Sequence, residues 1–141
     1  MKGKIGDKQR LLHIAESINE IEQYISKATF DIFSTDSMMR YATVKQIEII
    51  GEAANYLTEE TKMQFPNIQW RQIIGLRHIL VHEYFGIDSK LIWQIITNDI
   101  PTLKIDIQNI ISTLFLLRPL QLTLYLQNLG RKEVISAFTR Y

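Results

Sequence analysis

Apolar residues recur at helical spacing along most of this chain. Leu11, Ile14, Ala15, Ile18, Ile21 and Ile25 stand three or four apart and predict a first helix from about Lys8 to Lys27. Between Ala28 and Ser37 the pattern lapses into an irregular segment in which Thr29, Asp31, Ser34 and Asp36 are candidate caps. A second long helix is predicted from Ser37 to Phe65 on the stripe Val44, Ile47, Ile50, Ala54 and Leu57. Gly51 inside it costs about 1 kcal/mol relative to alanine and gives a neighbour room to pack closely. Pro66 marks a break. A third helix begins at Trp70 and ends near Phe85, with Gly86 where a C-terminal glycine belongs. Asp88 is placed to cap a fourth, whose stripe is Leu91, Ile92, Ile95, Ile96, Leu103, Ile107, Ile110 and Leu114. Pro101 should kink that helix or split it.

Amphipathic helices on short connections predict an all-α fold, an antiparallel bundle of four to five helices. The tail differs. Leu120 to Leu126 alternates apolar and polar residues, a strand period, and Gly130 precedes a short helix from Arg131 to Tyr141. An isolated strand is unstable, so this segment must lie on the bundle or pair with something. The division expected is a helical bundle over 1–117 and a C-terminal extension over 118–141.

Composition narrows the chemistry. Sixteen basic against fifteen acidic side chains leave a net charge of +1, which argues against broad electrostatic binding of nucleic acid but not against a local basic pocket. With no cysteine, disulfides, thiolate zinc sites, iron–sulfur clusters and cysteine nucleophiles are all excluded. The N-terminus MKGKIGDKQR lacks the apolar core of a secretory signal. The most hydrophobic stretch, Ile105 to Leu126, is interrupted by polar and charged residues, so no membrane span is expected. A cytoplasmic protein is the default expectation.

The third helix holds the candidate chemistry. At about 100° per residue, Ile73, Leu76, Leu80 and Val81 share a face, and Arg77 and Tyr84 fall within it. A guanidinium in an apolar stripe is costly unless an anion meets it. Two readings follow: an internal salt bridge, with Glu48, Glu52 or Asp88 as partner, or a pocket for a phosphate from outside. His82 lies about 140° round the helix from Arg77, so a loosened turn or a second copy of the helix is needed to aim both at one target. The negative end of the helix dipole near Gly86 favours imidazolium at His82. His78 and His82 have a spacing that can hold zinc, but no third ligand is evident locally, and no metal or cofactor is expected. His13, on the first helix, reads as a partly buried structural residue.

Arg77-His-Ile-Leu-Val-His82-Glu-Tyr84 has the form Arg, four residues, His, one residue, Tyr. It resembles the motif of the HepT-like toxins of the HEPN superfamily. The likeness extends to Arg10–Ile14, Ile49–Ala54, Trp70–Leu76 and Tyr84–Asp88, and covers about Lys8 to Leu116. The resemblance implies a HEPN-like bundle and a metal-independent endoribonuclease of a type VII-like toxin–antitoxin system. Such a protein is a homodimer whose cleft is lined by motif residues of both chains and cleaves RNA such as tRNA or mRNA. By position, Arg77 would neutralise the scissile phosphate and His82 would move protons, with His78 and Glu52 in support. Tyr84 would be adenylylated by the partner, a minimal nucleotidyltransferase antitoxin. His78 stands in a slot that is often asparagine in relatives. The competing reading is a catalytically silent dimeric partner of the nucleotidyltransferase.

Overall fold

The computed structural model describes residues 3–79 and 88–115. All the regular structure among them is helical: α1 (Lys4–Ile25), α2 (Phe30–Thr35), α3 (Ser37–Asn55), α4 (Glu59–Gln64), α5 (Trp70–Gly75), α6 (Ser89–Gln94) and α7 (Ile100–Phe115). A 3₁₀ turn, Leu76–His78, follows α5, and a π-helical turn, Ile95–Asp99, joins α6 to α7. The all-α bundle expected from the apolar periodicity is the fold observed. The strand proposed at Leu120–Leu126, the helix at Arg131–Tyr141 and the boundary between 117 and 118 lie outside the described residues.

The core forms where the stripes of α1, α3 and α7 meet. Leu11, Ile14, Ile18 and Ile21 of α1 are buried against Val44, Ile47, Ile50 and Ala54 of α3 and Ile107, Ile110 and Ile111 of α7. Lys104 of α7 reaches Glu22 of α1 at 2.9 Å and pins the edge of that contact. On the other side α2 rests on α3 and α6, with Trp93 packed on Phe33 at 5.4 Å and on Phe30 at 6.1 Å between ring centres.

Several boundaries differ from expectation, each for a local reason. Helix α1 starts at Lys4, four residues early, and its first turn carries the wholly buried Asp7. The segment from Ala28 to Ser37, expected to be irregular, contains α2. Thr29 accepts a hydrogen bond from the Ile32 N–H, and the Arg40 guanidinium donates to the Ser34 carbonyl at the helix end. Asp36 then caps α3 through the Met39 N–H at 3.0 Å. Two caps about two turns apart outweigh the weak periodicity there.

The helix expected from Ser37 to Phe65 is two helices. Asp7 provides the break. Its carboxylate accepts from the Thr58 N–H at 3.0 Å and from the Thr58 and Thr61 hydroxyls at 2.6 Å each. Thr58 meanwhile caps α4. A charged acceptor from α1, fully enclosed, redirects the chain at Leu57.

Asp88 caps α6 as expected, through the Lys90 and Leu91 N–H groups. Leu91, placed in the apolar stripe, is instead 42% exposed, whereas Ile92, Ile95 and Ile96 are buried. Pro101 is accommodated by widening the preceding turn into a π-helix, which makes room for a ring that lacks an N–H and would crowd the carbonyl four residues back.

Candidate functional site

Arg77 owes its position to a glycine on another helix. Gly51 is buried in α3, and a β-carbon there would lie 2.5 Å from the Arg77 backbone nitrogen and 3.1 Å from its Cα. The close packing expected at Gly51 is therefore met by the backbone of the motif arginine itself. At this contact α5 tightens into the 3₁₀ turn Leu76–His78, closed by the Ile79 N–H on the Leu76 carbonyl at 3.2 Å. A single regular helix from Trp70 onward is thus corrected. It stops at Gly75, and the tighter winding rotates Arg77 relative to an ideal α-helical phase. Trp70 holds the start of α5, its indole N–H shared between the Lys62 and Phe65 carbonyls at 3.2 and 3.1 Å.

The Arg77 side chain is 29% exposed, half embedded as a polar residue in an apolar stripe would be. Of the three carboxylates considered as partners, Glu52 is the one that reaches it, with Nη1 3.8 Å from Oε2. Glu48 pairs with Lys45 at 3.6 Å, and Asp88 is engaged at the start of α6. The Glu52 side chain is 53% exposed, so the pair is well hydrated, and at 3.8 Å it lies beyond hydrogen-bond length. Such a pair contributes about 0–1 kcal/mol.

The second contact of Arg77 is with its neighbour. Arg77 Nε donates to His78 Nε2 at 3.1 Å. An Nε2 that accepts carries no proton, so the imidazole making this bond is protonated on Nδ1. His78 therefore orients the guanidinium from outside. Guanidinium has five N–H donors, and these two contacts use one of them in a hydrogen bond. Among the described residues the remaining donors stay available to an anion. Of the two readings of Arg77, the internal salt bridge is observed, with Glu52 as the partner, and it is loose.

His82 and Tyr84 fall within 80–87, outside the described residues. The structure brings together Arg77, His78 and Glu52 of the candidate set. Among the described residues no group of three or more histidine, aspartate or glutamate side chains is arranged to hold a metal ion. No described helix is long and apolar enough to cross a membrane.

One feature escaped the sequence reading. A groove of about 330 Å³ runs between α1 and α3, lined by Gln9, Arg10, His13, Ile49, Glu52 and Tyr56. His13, expected to be partly buried and structural, is exposed on its rim. The Arg10 guanidinium carbon stands 5.8 Å from the centre of the Tyr56 ring. The signal available was the three-residue spacing of Arg10 and His13, but only the pairing of α1 with α3 sets them opposite Glu52 and Tyr56.

The family model of HepT-like ribonucleases (described as "Ribonuclease HepT-like") matches residues 14–110. The chain is similar to a Methanocaldococcus jannaschii protein named "Putative RNase MJ1380", with 39% identity over 98 residues, 70% of this chain and 90% of that protein. It is also similar to "Probable ribonuclease HepT" of Thermococcus cleftensis, with 37% identity over 101 residues, 72% of this chain and 92% of that protein. No solved structure matches.

Proposed function

Because the chain belongs to the HepT-like ribonuclease family, we propose that it is a metal-independent endoribonuclease, the toxin of a type VII-like toxin–antitoxin pair. The observation that carries the reading is the Arg77 guanidinium. It is anchored by backbone contact at Gly51, oriented by His78, and only loosely paired with Glu52. A fixed arginine with donors to spare suits a phosphodiester, since its fork matches two phosphate oxygens.

The chemistry is transfer of the phosphorus from the 5′-oxygen to the adjacent 2′-oxygen. A base removes the 2′-hydroxyl proton, the 2′-oxygen bonds to phosphorus, and the P–O5′ bond breaks as an acid protonates the departing oxygen. The products are a 2′,3′-cyclic phosphate and a free 5′-hydroxyl. Arg77 stabilises the charge that accumulates on the nonbridging oxygens. His82 supplies the proton transfers, and in a homodimer the two copies of His82 divide acid and base duties. Tyr84 is the residue that a minimal nucleotidyltransferase partner adenylylates, which silences a cytoplasmic RNA-cleaving toxin acting on tRNA or mRNA. The near balance of charge favours one rival, a silent dimeric partner, because nonspecific RNA affinity rests on phosphate neutralisation.

Cleavage of a mixed RNA substrate in EDTA separates the two. The wild-type protein should cut, while Arg77→Ala and His82→Ala should each lose about 10²–10⁴ in rate. Wild-type protein that cuts nothing, or His82→Ala that cuts as well as wild type, defeats the catalytic assignment. In the same preparation, ATP and the nucleotidyltransferase should add AMP to Tyr84 and none to Tyr84→Phe, read by peptide mass spectrometry.

A further inference from the structure

We infer that the groove between α1 and α3 is a nucleobase subsite, holding one unpaired base of the strand whose phosphate lies at Arg77. The inference rests on the ribonuclease reading above. The groove's position, size and lining support it. The groove adjoins Arg77 through Glu52, which lines it and is also the carboxylate 3.8 Å from the guanidinium. At about 330 Å³ it stands at the lower end of the size range for small-molecule sites, about 300–1,000 Å³, enough for one nucleoside.

Its walls also suit a base. Ile49 gives an apolar floor, and Tyr56, at the end of α3, is 59% exposed on the rim. The Arg10 guanidinium sits 5.8 Å from the centre of that ring, so a flat cation and a flat aromatic line the same groove. Bases stack on both surfaces, and they can do so only when splayed out of a duplex. Gln9 offers both donors and an acceptor to a base edge, and Glu52 accepts from an amino or imino N–H. Arg10 and His13 stand on the rim beside Glu52. Tyr56 and Arg10 belong to two packed helices, so the subsite is preformed.

Binding of a fluorescent 2′-O-methyl oligoribonucleotide, which cannot be cleaved, tests the subsite separately from catalysis. Anisotropy is measured for the wild type, Tyr56→Ala and Tyr56→Phe, with each internal base replaced in turn by an abasic residue. Loss of one stacked base should weaken wild-type binding about tenfold at one abasic position. Tyr56→Ala should weaken the intact oligomer by a similar factor and abolish the penalty at that position, while Tyr56→Phe stays within about twofold of wild type. Equal binding by Tyr56→Ala, penalties that multiply instead of merging, or no binding by the wild type would each overturn the subsite. So would a change of molecular mass on Tyr56→Ala, which would make the groove an interface between copies. An RNA that binds in this Tyr56-dependent manner yet is never cut in its unmethylated form would leave the subsite standing and remove the nuclease.

Discussion

A β-carbon at position 51 would sit 2.5 Å from the Arg77 backbone nitrogen, a separation that backbone atoms do not tolerate. Only glycine lets α3 approach the motif so closely, which explains why a residue costing helix stability stands mid-helix. Gly51→Ala gains helix propensity but forces the turn Leu76–His78 away from α3. The net loss should be about 1–2 kcal/mol of unfolding free energy by urea titration, with RNA cleavage falling further than the loss of folded protein explains. Unchanged stability together with full activity would remove Gly51 from the account. The arginine in an apolar stripe and the interrupting glycine were both visible one-dimensionally. Their contact was not, since it joins positions 26 residues apart through the tilt of two helices.

Among the elements, the junction from α3 to α4 is set by a carboxylate from α1. Asp7 accepts three hydrogen bonds from Thr58 and Thr61 while fully enclosed. Asp7→Ala leaves a backbone N–H and two hydroxyls without that acceptor, and a bond to a charged group contributes about 1.5–3 kcal/mol. Thermal or urea unfolding should show about 3 kcal/mol lost, with α4 exchanging its amide hydrogens faster than α1. Loss under about 0.5 kcal/mol would mean that Thr58 and Thr61 find other partners. Hydrophobic spacing reads through such a junction because Leu57 continues the stripe of α3. The Asp7 interaction carries no periodic signature, so the expected helix ran on to Phe65. The π-helical turn before Pro101 is the opposite case, since proline announces the break in the sequence itself.

For the whole molecule, net charge is nearly nil and the candidate RNA-binding groups are local: Arg77 with His78 in one place, Arg10 with His13 along the adjoining groove. RNA affinity from so few phosphate contacts should fall only modestly as salt rises. A cleft between two copies would double those contacts and bring two His82 side chains to one phosphodiester. Light scattering at micromolar concentration should therefore give twice the chain mass of 16.5 kDa. A stable monomer that cleaves RNA at full rate would show that one chain suffices.

The residues by themselves determined the helical class, the apolar stripes that form the core, the Asp88 cap, the break at Pro101 and the motif from Arg77 to Tyr84. These are local properties: hydrophobic period, capping chemistry and residue order act within a few turns. Tertiary structure alone decided which carboxylate meets Arg77, that Gly51 seats it, and that the Arg10 guanidinium lies over the Tyr56 ring. Each depends on where one helix lies against another, and burial of the whole core, not any local pattern, sets that placement.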